Sequence, residues 1–411
     1  MIRLLHISDV HINASYANKD EMIRKKLKTC MYESLDAMVN FSIMEKIDAL
    51  IIAGDFFDHE KINFQDEAEV MKLMGKLLDE GCHVIYVTGN HDPMKTAPFL
   101  NLLTHHQNFH FFDDEQVKWT ELRSKNGELF KVVGVGHKSK NEQRSLITNF
   151  PPKADDGIWI GVAHASVPSA ITTPDKQSYM ATPLKVIEQL NYDYFALGHI
   201  HIRQKLTSKI AYSGNIQGLN IKETGAKGGY LVEIDKTHVR VSEVDFNALQ
   251  WEIIECLLTP ETSNLTELQS LMLNQIMTKL SETKLPSRNM MIRIVLSGKS
   301  ILKEALSDQA NVAFLCDVLK RKVGLMDVEI KTNQLSYPVD VEALMNEHTV
   351  LSEMITRITN GSYEEALLNK IYSLPIFKSN TTQEEKKRVL ESMKERLIEE
   401  IVERMVIKHE D

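Results

Sequence analysis

The sequence predicts an α/β protein built on a mixed sheet, followed by a smaller α/β module and a helical tail. Short apolar runs alternate with longer stretches whose apolar side chains recur every third or fourth residue, the rhythm of strand, helix, strand. Beyond Pro93 that rhythm gives way to short runs around an Asn-Gly turn, which read as an antiparallel hairpin and make the sheet mixed. Near Asn247 the composition changes again, and the stretch after Pro338 reads as helical.

Ile2–Ile7 reads as a strand that breaks at Ser8-Asp9-Val10-His11. Asp9 and His11, two apart on what reads as an extended segment, are expected on one side of it. Over residues 20–46, Ile23, Leu27, Cys30, Met31, Leu35, Met38 and Val39 mark an amphipathic helix lying on a sheet. A second strand, Ala49–Ala53, ends in Gly54-Asp55-Phe56-Phe57-Asp58. A helix over 64–80, stopped by Gly81, leads to a third strand, His83–Val87, and then Thr88-Gly89-Asn90-His91-Asp92-Pro93. Parallel pairing with right-handed crossovers is expected. Residues 117–122 and 129–135 flank the Lys125-Asn126-Gly127-Glu128 turn, residues 158–163 lead to His164, and residues 194–197 lead to Gly198-His199-Ile200-His201. Strand-like pieces continue through Tyr212, 229–234 and 239–244.

The next module alternates strands (251–258, 290–296, 328–332) with helices (264–282, 311–322) and carries no metal-type residues. The last helix, 383–409, is densely charged, with apolar residues at Leu390, Met393, Leu397, Ile401 and Met405. Three domains follow from this division: 1–246, 247–335 and 336–411.

Composition narrows the function. At 411 residues and 43% hydrophobic, the chain is long enough for a large core with appendages. Its four cysteines are scattered with no C-x-x-C pair, which disfavours a disulfide framework and a thiolate zinc site. The start lacks a signal-peptide pattern and no stretch approaches a membrane span, so a soluble cytoplasmic protein with no membrane association is expected. A net charge of -9 argues against a uniformly basic nucleic-acid surface. A local patch is left open, with Lys138, Lys140, Arg203, Lys205 and Lys209 near the motifs, although each alone reads more simply as a solvated charge.

Ligands bind at strand ends in α/β sheets. The groups there are Asp9, His11, Asp55, Asn90, His91, His164, His199 and His201. Carboxylate, amide and imidazole together suit Mn, Fe or Zn. Asp55, on the strand between the other two, is placed to bridge two ions. Ions about 3.5–4 Å apart stabilise both the attacking and the leaving oxygen of an in-line displacement. That suits phosphate-ester hydrolysis with a water-derived nucleophile and needs no serine or cysteine. His164 has the least distinctive surroundings, and His6 reads as packing. His59, His83, His105, His106, His110, His137 and His238 read as core or surface residues.

In this order, Asp9-x-His11, Gly54-Asp55-x-x-Asp58, Gly89-Asn90-His91-Asp92, His164 and Gly198-His199-x-His201 resemble the motifs of the calcineurin-like metallophosphoesterases. The resemblance implies a sandwich of mixed sheets flanked by helices, with a small α/β capping domain and C-terminal helices following. It implies Asp9, His11, Asp55 and His201 on one ion, and Asp55, Asn90, His164 and His199 on the other. His91 would face the scissile phosphate and assist the leaving oxygen, Asp92 would orient the His91 ring, and Asp58 would stand behind the ligands.

Within that superfamily the chain is similar to the SbcD-type double-strand-break repair nucleases, including their YhaO-like branch. The likeness lies in His6-Ile7-Ser8-Asp9-Val10-His11, Gly54 through Asp58, Tyr212-Ser213-Gly214-Asn215 and Lys227-Gly228-Gly229-Tyr230-Leu231-Val232-Glu233-Ile234. Where the family has a proline-serine stretch, this chain has His59-Glu60-Lys61-Ile62-Asn63-Phe64. The resemblance implies a DNA nuclease, 3′ to 5′ exonuclease and single-strand endonuclease, using two divalent ions with Mn2+ expected. It also implies a homodimer and an SbcC-type ABC ATPase partner docking on the terminal helices; packing of those helices on the chain's own body is the equal alternative. A two-metal phosphodiesterase for a small nucleotide and a non-catalytic scaffold are the competing functions. The capping module favours a polymer, and filled ligand positions disfavour a scaffold.

Overall fold

The computed structural model describes residues 1–58, 62–93, 98–172, 178–259, 261–338, 341–347, 349–360 and 382–406. His59 and residues 407–409 of the expected last helix lie outside the described residues, as does the side chain of Leu390. Strands β1 (Ile2–Ile7), β2 (Ala49–Ala53), β3 (His83–Val87) and β4 (Phe109–Phe112) pair in parallel. The chain then builds a second sheet from β5 (Lys118–Arg123), β6 (Leu129–Val135), β7 (Ile158–His164), β8 (Tyr194–Gly198), β9 (Gln204–Lys205) and β10 (Ile210–Tyr212), ordered β5-β6-β7-β8-β10-β9. β11 (Gly228–Ile234) and β12 (Val239–Asp245) return antiparallel beside β1, completing the first sheet as β12-β11-β1-β2-β3-β4.

The two-residue period of a strand divides each sheet between two cores. From β2, Ala49, Ile51 and Ala53 pack against Ile160, Val162 and Tyr194 between the sheets. Leu50 and Ile52 join Met31, Leu35 and Met38 of α1 (Glu21–Met44) and Val70, Met74 and Leu77 of α2 (Phe64–Asp79). With both faces covered, the strands read as unbroken apolar runs. Each such Leu or Ile contributes about 1.5–3 kcal/mol by leaving water. The helices start where Asp20 and Asn63 accept the backbone N–H of Ile23 and Asp66, both at 2.8 Å. His6 shares the parity of Ile2 and Leu4, so its ring enters the inter-sheet core, where Nδ1 meets Tyr194 Oη at 2.8 Å.

The chain divides into two compact units: Met1–Ile253, Leu280–Arg293 and Val323–Asp327 in one, and Ile254–Lys279, Ile294–Lys322 and Val328–Asp411 in the other. Met291 and Met326 are drawn into the first because they pack with Tyr16, Leu27, Leu249 and Trp251. A three-stranded sheet in the order β13 (Gln250–Leu258), β14 (Met290–Lys299), β15 (Asp327–Ser336) follows the sandwich in sequence. In the second unit, the helix Gln383–Val406 sets Ile398, Ile401 and Val402 against Leu351 and Ile355 of the helix Val350–Thr359. Met393, Leu397 and Met405 are exposed. Among the described residues, no helix is long and apolar enough to cross a membrane.

Candidate metal centre

The C-terminal ends of β1, β2, β3, β7 and β8 bring the motif residues together. Past β1 the backbone is not extended as expected, because Asp9 and His11 have φ of 51° and 52°. These left-handed turns are held by Asp9 N donating to Gly54 O (3.1 Å) and His11 N to Asp55 O (3.0 Å), which continue the β1–β2 pairing as an irregular ladder. Asp55 and His199 also have positive φ, 50° and 103°. Such conformations cost on the order of 1–3 kcal/mol per residue and persist where surrounding bonds impose them.

Glycines bring the two sheets close. A Cβ on Gly54 (φ +86°) would lie 2.4 Å from His164 Nδ1, and one on Gly198 would lie 1.7 Å from the carbonyl oxygen of Ala53. Only hydrogen at these two positions lets the ends of β2 and β8 approach with the His164 ring between them.

Around Asp55 the ligand atoms form two adjoining groups. On one side, His11 Nε2 is 3.8 Å from Asp55 Oδ2 and 3.2 Å from His201 Nε2, and His201 Nε2 is 3.5 Å from Asp9 Oδ1. On the other, His164 Nε2 is 3.1 Å from Asp55 Oδ2 and 3.0 Å from Asn90 Oδ1. His199 is less directly engaged. Its backbone N–H donates to Asp9 Oδ2 (3.0 Å) and its ring lies edge-on to His164 at 5.3 Å, but its ring nitrogens are outside the converging ligand sets of the described residues.

A further ring of acceptors fixes which imidazole nitrogen faces inward. Asp58 Oδ1 lies 3.0 Å from His11 Nδ1 and 3.1 Å from His91 Nδ1. Glu223 Oε1 lies 2.8 Å from His201 Nδ1, and Ala53 O lies 2.9 Å from His164 Nδ1. These contacts place a proton on Nδ1 and turn Nε2 of His11, His201 and His164 inward, where an ion that displaces any second proton can take its lone pair. Sequence reasoning missed Glu223, which sits in the β10–β11 loop with no spacing relation to the motifs. A carboxylate near a Gly-rich turn was the only signal available.

Asp92 does not orient the His91 ring as expected; Asp58 does. Asp92 instead gathers backbone N–H groups: Gly89 (2.6 Å) and Asp55 (3.1 Å) on Oδ1, and Phe56 (2.7 Å) and Phe57 (3.3 Å) on Oδ2, together with the Tyr86 hydroxyl. It ties the β2 and β3 loops together. His91, 41% exposed, is open to solvent, whereas His11 is buried.

The electrostatics follow from these contacts. Burial pushes the Asp55 carboxyl up, but His164 and His11 beside it hold it well below the usual range. Burial likewise raises Glu223, yet His201 brings it down to about 2. His91 is lowered by burial but raised overall to about 9 by Asp58 and Asp55. Burial and the Asp55 charge push Asp92 up to about 6.

The residues fit a metal pair. Asp55 Oδ2 is buried without a hydrogen-bond partner at the point where the imidazoles converge, a costly arrangement that a divalent cation relieves. Carboxylate, amide and imidazole without thiolate match ions of intermediate hardness. The cations near the motifs are largely spent locally: Arg203 on Glu243 (3.1 Å) and Asp245 (3.0 Å), Lys138 on Glu115 (3.6 Å), and Lys205 on Val241 O (2.7 Å).

Residues 2–203 match the calcineurin-like phosphoesterase family. The chain thus carries a calcineurin-like metallophosphoesterase domain, of a family of hydrolases that use a dinuclear metal centre. The uncharacterized metallophosphoesterase YhaO of Bacillus subtilis is 24% identical over 305 residues, covering 72% of this chain and 72% of that protein. The DNA double-strand break repair protein Mre11 of Saccharolobus solfataricus is 22% identical over 382 residues, covering 90% and 93%. The SbcD component of the nuclease SbcCD of Escherichia coli is 27% identical over 95 residues, covering 23% and 22%.

Proposed function

We propose that this chain is a metal-dependent nuclease that hydrolyses DNA phosphodiester bonds in DNA repair. The observation that carries this is the convergence of three Nε2 atoms, from His11, His201 and His164, with Asp9 and Asn90 around the buried Oδ2 of Asp55. The names of the Mre11 and SbcD relatives supply the substrate class.

Asp9, His11, Asp55 and His201 would hold one ion, and Asp55, Asn90, His164 and His199 the other. When bound, two divalent ions, Mn2+ on this reading, polarise the phosphate and activate water. Asp58 accepts the Nδ1–H of His91 and directs the ring, and because His91 is raised to about 9 its Nε2 also carries a proton, which it donates to the phosphate or the leaving oxygen. Asp92 holds the loops that carry Asp55 and His91 in register.

The finer reading is a 3′ to 5′ exonuclease with single-strand endonuclease activity, cytoplasmic and homodimeric, partnered by an SbcC-type ABC ATPase. Residues 1–246 would carry the chemistry, 247–335 cap it, and 336–411 dock the partner. The exposed Met393, Leu397 and Met405 support the docking. The four free thiols suit a reducing compartment.

Linear duplex DNA, single-stranded DNA and a small cyclic nucleotide, each with Mn2+, Mg2+ or chelator, test the substrate. Mn-dependent DNA cleavage that collapses in His91→Ala while metal remains bound is expected. Cleavage of the cyclic nucleotide alone overturns the nuclease reading, and no metal and no cleavage would point to a scaffold. Truncation at Pro338 is expected to abolish capture of the ATPase; unchanged capture removes the docking assignment.

A further inference from the structure

Next to the metal-type residues, a cavity of about 450 Å³ is bordered by Thr172, His201, Arg203, Lys222, Glu223 and Lys227. Its volume falls within the range of sites that enclose small ligands, about 300–1,000 Å³. Three of these residues are cationic and one is anionic, and their commitments differ. Glu223 is used on both oxygens, by His201 on Oε1 (2.8 Å) and by Asn215 Nδ2 and Leu219 N on Oε2 (each 2.7 Å). Arg203 is ion-paired to Glu243 and Asp245.

Lys227 is different. Its Nζ donates to the carbonyl oxygen of His201 at 3.5 Å, and among the described residues no carboxylate lies within ion-pair distance of it. Its backbone N–H donates to Asn247 Oδ1 at 3.0 Å, which anchors the start of the side chain. An ammonium has three donors, so two remain for an incoming oxygen. The cavity therefore holds an ammonium with donors to spare beside a histidine whose far nitrogen faces the ion-binding atoms.

We infer that this cavity seats the nucleotide adjacent to the scissile phosphodiester, and that Lys227 meets the phosphate of that nucleotide. The inference rests on the nuclease reading and deepens it. Lys227 is then a residue that discriminates polymer from an isolated ester, because only a polymer carries a second phosphate to place there.

The test compares kcat/KM of the Mn-loaded full chain on a labelled single-stranded oligonucleotide with that on bis(p-nitrophenyl) phosphate. In Lys227→Met the ratio of the two is expected to fall about tenfold, and the salt slope of log KM for DNA to fall by about one, as for loss of one phosphate contact. Lys227→Arg should recover most of the ratio. Lys227→Gln serves as a second neutral variant if the methionine variant does not fold. A ratio that stays at the wild-type value, or that Arg does not restore, overturns the assignment while leaving the nuclease reading standing. A wild type that hydrolyses only the small ester removes both.

Discussion

Asp58 is the residue on which two functions meet, since one of its oxygens faces both the His11 and His91 rings. Asp58→Ala is expected to weaken Mn2+ binding about 10–100-fold, the usual effect of losing a partner behind a metal-binding histidine. His91→Ala is expected to leave binding near wild type and lower kcat about 10²–10⁴-fold. Titration calorimetry and turnover on the same two variants separate these outcomes. The contrast also marks what was legible. Asp9, His11, Asp55, Asn90, His91 and His201, which converge, stood out in the sequence because each follows an apolar strand at a short spacing. Asp58 was placed behind the ligands by its motif, but the tasks of Glu223 and Asp92 depend on contacts across roughly 20–40 residues of chain, and no local pattern encodes them.

His6 gives a pH prediction away from the ions. Burial pushes its ring down to about 3, so the folded state keeps it neutral while the unfolded chain titrates near the ordinary value of 6.5. Between those values the unfolded state binds the extra proton, so stability falls as pH is lowered through that window, by up to about 1.4 kcal/mol per pH unit. Urea unfolding at several pH values should show a shallower acid slope in His6→Asn than in wild type.

At the scale of elements, the strands were legible because covered faces demand continuous apolar runs, and the helices because their apolar positions repeat at three and four. The left-handed turns after β1 and β2 were not. Nothing in Ser-Asp-Val-His distinguishes an extended segment from one bent by hydrogen bonds to a neighbouring loop. The close approach of β2 and β8 was equally hidden, and it yields a sharp test. Gly198→Ala would drive a methyl into the Ala53 carbonyl, so we expect a loss of about 3 kcal/mol or more with a matching fall in Tm, at the upper end for overpacking. Gly127→Ala, whose Cβ meets no neighbour but whose φ is +84°, should cost about 1 kcal/mol, from strain alone.

At the scale of the whole molecule, the sandwich concentrates function at one edge. Five strands from two sheets end there, and a charge cluster that would be costly when unfilled is held by cores on either side. Ion binding and stability are therefore linked. Saturating Mn2+ at about 100 times Kd should add about 2.7 kcal/mol per site, and chelator should lower Tm accordingly. The interleaving of the two compact units was outside the reach of a linear reading, because Met291 and Met326 are distant in sequence from the Tyr16 and Leu27 they pack with.

The proposed mechanism centres on a pair of ions that would share Asp55, and Mn2+ titration of the metal-free chain followed by calorimetry tests it directly. Wild type is expected to bind two ions, and Asp55→Ala, shown by circular dichroism to be folded, is expected to lose both sites under the same conditions. An Asp55→Ala chain that still takes up two ions with wild-type affinity would contradict the shared site.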